Sequence, residues 1–510
     1  MSRVTEMKKL ESFGKNVIAV FFVCIMLYLT LSSLFISADI VLDGAEKTTF
    51  SNKIWPFTLV LFAAVVGILY KLRDKIENLD SNRWVRILIV YDFILCILWM
   101  VTANTKEGAD QAQVLYAAKQ FCMGDYSKLA PDLYMGMFPY QLPLAMLYEP
   151  FYKILGDVTP FFWQFINSFL ICLSQYLIYR IVRELCENKK IINTALLLQF
   201  LDFPLILYVS FIYGTIVGMT LALASVFFLL KMRKTEKRRW SDALLSALFM
   251  GMACLLKSNY LIFMIAACII VLVMAATQKK LRLLFYIPLV IGIFFGGRTL
   301  VYKTYEFRSG MEIGDGVPSS LFIAMGLSEN EERANGWYNG YNWDTYLGEL
   351  DCDPQKATEF GNEVIHGQLA EFGKSPLYML DFFQEKINST WLNPDFQGLW
   401  NNHHHGQVIA CAPVIYNLYT GELHHVAQFL LGNIQFIIYA GALICFLAYW
   451  KKLNIYQCVF ALIFVGGFLF HLFWETKAQY VIIYYVLLLP YAGAGINYLV
   501  DRITAHKKVK

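Results

Sequence analysis

Long apolar runs separated by short polar breaks fill most of this chain. They lie at 16–37, 54–70, 85–103, 161–178, 191–208, 214–230, 244–256, 260–276, 283–301, 429–449, 455–473 and 480–500. Most reach the ~18 or more residues that a helix needs to cross the hydrocarbon core. The pattern therefore predicts an all-α polytopic membrane protein with about twelve spans. The cysteines fall mostly inside these runs (Cys24, Cys96, Cys172, Cys254, Cys268, Cys445, Cys458) and read as small hydrophobes. The first run is long and lacks a small-residue cleavage site, so no cleavable signal peptide is expected.

Three stretches break the pattern. Ala109 to Tyr126 has Val114, Leu115, Ala118 and Phe121 at helical spacing, opens with Asp110 and closes at Gly124. It reads as a short helix lying along a membrane surface. The run 140–155 carries Glu149 and Lys153 and ends at Gly156, which suits an interfacial helix and not a span. Residues 303–427 are polar, with Gly, Asn, Asp, Trp and Tyr between short helical patterns, and read as a large outer loop domain.

Basic residues fix the expected orientation. Clusters at Arg3 to Lys15, Lys71 to Arg86, Arg180 to Lys190, Lys231 to Arg239, Lys279 to Arg282, Lys451–Lys452 and Arg502 to Lys510 fall on one side of the twelve-span scheme. By the positive-inside rule that side is cytoplasmic, as are both termini. Making 140–155 a span would move two of these clusters outside. The expected organisation is then N-terminal spans (1–103), a first outer loop with interfacial helices (104–158), central spans (159–302), an outer domain (303–427), and C-terminal spans with a basic tail (428–510).

Composition agrees with this picture. Of 510 residues, 57% are hydrophobic and 16% charged, with a mean hydropathy of +0.48. A soluble protein carries roughly a quarter charged residues. The formal charge of +4 gives no sign of nucleic-acid binding. No paired-cysteine or Cys/His metal spacing occurs.

The stretch Asp110 to Tyr126 ending in Gly-Asp-Tyr, the Pro-containing turn Phe138 to Pro143 and the helix ending at Gly156 together resemble the first outer loop of the GT-C glycosyltransferase superfamily. The protein O-mannosyltransferase and aminoarabinose-transferase branch, with similar bacterial cell-envelope enzymes, is nearest in pattern. Tyr179 to Arg183, Leu256-Lys257 and Phe473 to Tyr480 are similar to that group as well. Members often carry Asp-Glu where this chain has Asp110-Gln111, so a paired acid is not supported here.

The resemblance implies a GT-C-like bundle and transfer of a sugar from a polyprenyl-phosphate carrier to an acceptor hydroxyl at the extracytoplasmic face, without a cofactor. The attacking hydroxyl needs a base, and Asp110 is the first choice; the plainer reading is that Asp110 caps its helix. Asp125 is a second acid, though Gly-Asp is also ordinary turn chemistry. The leaving phosphate needs cations, and Lys257 and Arg298 lie near the expected outer ends of their spans. Snorkelling accounts for such residues equally simply.

Glu475 and Tyr480 are expected to orient sugar or base, against an alternative as interface anchors. Of His403-His404-His405, consecutive neighbours face apart and cannot all hold one ion; His405 is the one set against acceptor or phosphate, and no metal is assigned. Asp202, before Pro204 within a span, fits either a kinked helix or a polar groove. Asn388-Ser389-Thr390 matches a glycosylation sequon, a match common by chance. The expected partners are the polyprenyl-phosphate sugar donor, the bilayer, and a glycan, polymer or protein acceptor. The competing class is a multi-span transporter or flippase, which twelve spans with both ends inside also suit.

Overall fold

A computed structural model describes residues 2–42, 45–234, 239–404 and 411–509. His405, expected among the orienting residues, lies outside the described residues. Among the described residues eleven helices are long and apolar enough to cross a membrane, or twelve with the bent pair Lys189–Gln199 and Phe203–Ser210 counted as one span. These correspond run for run to the twelve apolar stretches. The chain is a helical polytopic membrane protein.

The helix boundaries follow from local chemistry. Asp80 accepts a hydrogen bond from the Asn82 N–H at the start of Ser81–Ala103, and Asn188 accepts from Lys190 and Ile191 at the start of Lys189–Gln199. Asn454 and Gln457 form a reciprocal capping box. Asn104 and Lys279 end their helices in the left-handed conformation.

The spans differ in how far they are enclosed. Trp55–Glu77 has 11% of its apolar window buried, whereas Ile482–Lys507 has 83%. The last span is therefore central to the bundle, packed on Glu422–Tyr449, and the second is peripheral. Backbones meet closely where glycine allows it. A Cβ at Gly495 would collide with the Gly441 carbonyl, so only glycine permits this contact.

The loop between the first two spans adds a short β-hairpin, Ile36–Ile40 paired antiparallel with Thr48–Asn52, to the helical fold. One expectation needs adjustment. The Ala109–Cys122 helix does not lay its apolar face on a membrane. Val114, Ala117, Ala118 and Phe121 are buried in one core with Leu142, Ala145, Tyr305 and Leu321. Protein supplies a better-packed apolar surface than the interface would.

The Leu142–Leu155 helix, 14 residues long, is not among the spans. Its end leaves Ile154 and Leu155 exposed. Parts of 303–427 share cores with the rest of the chain. Val317, Tyr346 and Ala357 pack with the Asp110 helix, and Trp337 and Leu399 pack with Ile40 from the hairpin.

Candidate functional site

Asp110 is the second residue of its helix, but it does not cap it. Gly108 occupies the cap position, with no side-chain hydrogen bond to the helix start. The preceding Ala109 has φ of +46°, a region L-residues seldom adopt and which costs roughly 1 kcal/mol or more. The turn therefore sets Asp110 at the start of the buried stripe Val114–Ala117–Phe121. The carboxyl is enclosed by protein on that side yet solvent-accessible, so it lines an open recess. Burial raises it above the ordinary aspartate range, against Lys477, a hydrogen bond from Tyr134 and the charge of Lys257.

Around Asp110 the chain gathers residues from stretches far apart in sequence, among them Glu46, Tyr134, Lys257 and Lys477. Lys257 stands in the turn between Arg239–Leu256 and Ser258–Gln278. Its Nζ is 4.2 Å from the Tyr213 ring centroid and 5.8 Å from that of Tyr480. Burial lowers the Lys257 ammonium to about 8, while Asp110 and Glu475 pull it back up. Gly214 makes this turn possible: a Cβ there would lie 2.3 Å from the Leu256 carbonyl oxygen.

Gln111, next to Asp110, is buried and serves a different purpose. Its Oε1 accepts the Ile212 N–H at 2.7 Å, which fixes the loop holding Tyr213. Gln141 in turn donates to the Tyr213 hydroxyl. Gln111 thus holds the wall of the recess.

Residues 474–480 form the opposite wall. Glu475 is buried and pushed up to about 7 by that burial, partly opposed by Lys477 and a hydrogen bond from Tyr480. Its N–H donates to the Phe322 carbonyl at 3.2 Å, and Thr476 pairs with Gly336 and Tyr338 through the backbone. Lys477 stands 4.5 Å from the Tyr338 ring centroid and pairs with Glu46 at 2.6 Å. The Trp337 indole N–H donates to the other Glu46 oxygen at 2.6 Å.

Lys386, also buried, secures this wall. It donates to the carbonyls of Leu472 and Trp474, each at 2.9 Å, and to that of Gly326. Gly326 is pressed so closely on the segment that a Cβ would meet Glu475 N at 2.5 Å.

The other expected site residues fall elsewhere. Asp125 is exposed past the far end of the helix, about 20 Å from Asp110 at ~1.5 Å per residue. It accepts the Ser127 N–H at 3.0 Å, a turn contact that lowers it below the usual range. Arg298 lies over the Tyr302 ring on its own helix, centroid 5.1 Å away. His404 stacks on Trp400 while His403 faces Tyr419. Asp202 sits at the helix break and accepts from Gln175 at 3.1 Å. Asn388 of the sequon is buried and accepts the Tyr28 hydroxyl at 2.9 Å.

Lys477, Glu46, Lys386 and Tyr213 are not among the expected site residues. Lys477 lies within the 473–480 stretch, where a lysine on the expected outer side runs against the positive-inside trend and so signals a role. Glu46 and Lys386 carry no comparable signal in the sequence.

Residues 142–296 match the family described as dolichyl-phosphate-mannose-protein mannosyltransferase. No curated protein matches the chain. Two solved structures of an oligosaccharyltransferase from Archaeoglobus fulgidus are similar at 12% identity. The complex of the archaeal enzyme AglB with an inhibitory peptide and a dolichol-phosphate has a TM-score of 0.42, over 84% of this chain and 51% of that one. The apo form gives 0.46, over 85% and 52%. The chain thus spans about half the length of either.

Proposed function

We propose, on the premise that residues 142–296 are of the dolichyl-phosphate-mannose-protein mannosyltransferase kind, that this chain is a GT-C glycosyltransferase using a lipid-phosphate sugar donor. In this reading the donor is a polyprenyl-phosphate sugar, and the acceptor is a hydroxyl on an extracytoplasmic glycan, a teichoic-acid-like polymer or a protein. The recess opens on the extracytoplasmic side and both termini are cytoplasmic. The first loop (104–158) supplies the base, and the 303–427 region contributes to acceptor recognition.

The chemistry is a single displacement. The acceptor oxygen attacks the anomeric carbon as the bond from that carbon to the phosphate oxygen breaks. Asp110 takes the acceptor proton, polyprenyl phosphate departs, and the configuration inverts. Lys257 and Lys477 face the phosphate as point charges, stabilising the negative charge that grows on it. Tyr480 and Glu475, hydrogen-bonded to each other, orient the sugar.

The observation that carries this reading is the accessible Asp110 carboxyl with Lys257 and Lys477 among the groups acting on it. A hydroxyl and a phosphate ester could meet there. A cap or an interface anchor needs neither a recess nor two cations.

The test is transfer of radiolabelled sugar from polyprenyl phosphate to membrane acceptors, wild type against Asp110→Asn, with and without EDTA. Loss of ~100-fold or more in a folded variant supports the base. Loss on chelation alone points to a metal-assisted route. No transfer from any carrier sugar brings the transporter reading forward.

A further inference from the structure

The Asp110 helix has a second functional face. At ~100° per residue, positions two apart point nearly opposite ways. Asp110, Val114, Ala117 and Phe121 form the inward stripe. Ala112, Tyr116 and Lys119 form the outward one, and that stripe floors a separate cavity of about 420 Å³. Glu107, Lys128, Tyr152 and Asp157 are among the residues of its walls. The volume is within the ~300–1,000 Å³ of small-molecule sites.

The lining specifies the chemistry of what fits. Tyr116 is 52% exposed, with Lys128 Nζ 5.4 Å from its ring centroid. Tyr152 brings a second ring. The charges balance: Lys119 pairs with Asp157 at 2.8 Å, and the lining holds one further cation and one further anion, Lys128 and Glu107. A net-neutral site gives no advantage to a phosphate or a carboxylate. Gln113 adds an exposed amide to the lining, which offers both donors and an acceptor. Aromatic faces beside spare hydrogen-bonding groups suit an uncharged polyhydroxylated ring, whose C–H face packs on tyrosine while its hydroxyls reach the polar rim.

We propose that this outward cavity is a second saccharide site, which binds a neutral sugar unit of a glycan acceptor on the side of the helix away from Asp110. The proposal rests on the glycosyltransferase reading for its acceptor, but the binding itself needs no donor and no turnover. A sugar held there tethers the acceptor within one helix diameter of the reacting centre and raises its local concentration.

The test is saturation-transfer NMR on the full chain in detergent without donor, titrating methyl mannoside, diacetylchitobiose, maltose and glycerol phosphate. The expected result is saturable binding of a neutral sugar, weakened at least 10-fold in Tyr116→Ala and retained in Tyr116→Phe and in Asp110→Asn. Binding lost in Asp110→Asn but kept in Tyr116→Ala overturns the proposal, since the sugar is then in the recess. Preference for glycerol phosphate overturns it in favour of a lipid headgroup site, and no binding of any sugar overturns it outright. Failure of the transfer assay with sugar binding intact would count against the enzyme reading alone.

Discussion

Lys477 Nζ sits 2.6 Å from Glu46 Oε1, although 431 residues separate them in sequence. Both side chains are buried, and Trp337 occupies the second Glu46 oxygen. Burial by itself would raise the Glu46 carboxyl; Lys477 outweighs it and holds the group below the usual range. The pair joins the hairpin loop between the first two spans to the segment before the last span, and the Lys477 charge also acts on Asp110.

Removing one partner strands the other. Glu46→Gln is expected to destabilise the protein by ~3 kcal/mol, the scale for breaking a buried pair. The double variant Glu46→Gln/Lys477→Met should cost less than the sum of the singles. Unfolding in detergent, followed by tryptophan fluorescence, measures both. Additive losses would mean that the two side chains are not coupled.

The pH profile of kcat/KM should be bell-shaped. A base works when ionised, so activity falls as pH drops through the Asp110 value, which burial has raised. Lys477 pulls that value down, so Lys477→Met should move the acid limb to higher pH. Lys257 acts as an ammonium, and burial has lowered it to about 8. Activity should therefore fall again as pH rises through about 8. An acid limb that stays in place in Lys477→Met would separate that lysine from the base.

Lys386→Met removes three hydrogen bonds and leaves the carbonyls of Gly326, Leu472 and Trp474 without that donor. Each unsatisfied buried acceptor costs ~1–3 kcal/mol. A loss of ~3 kcal/mol or more is expected in denaturant unfolding, with sugar transfer weakened because Glu475 and Lys477 lose their support.

Gly326→Ala and Gly292→Ala make a matched pair. At Gly326 a new Cβ meets backbone at 2.5 Å on the Glu475 segment, whereas at Gly292 nothing lies within 4 Å. Overpacking at the first should cost ~1–3 kcal/mol and reduce transfer. The second should be neutral or slightly stabilising, as alanine is the better helix former. Equal effects in thermal unfolding would remove Gly326 from any special role.

Much of this protein was determined by its sequence alone. The apolar runs gave every span, including 191–208, which bends at the break before Phe203, because a lipid core demands length and hydrophobicity that can be counted along the chain. Asp110 stood out because its helix begins where a span has just ended, and Lys257 because it interrupts two apolar runs. Tertiary structure alone decided the rest. Glu46 and Lys386 matter through partners hundreds of residues or several helices away, and no local period encodes such a meeting. The inward turn of the Asp110 helix was likewise settled by packing: an apolar stripe fits a lipid surface or a protein core equally well by pattern, and only the presence of Leu142, Tyr305 and Leu321 beside it selects the core.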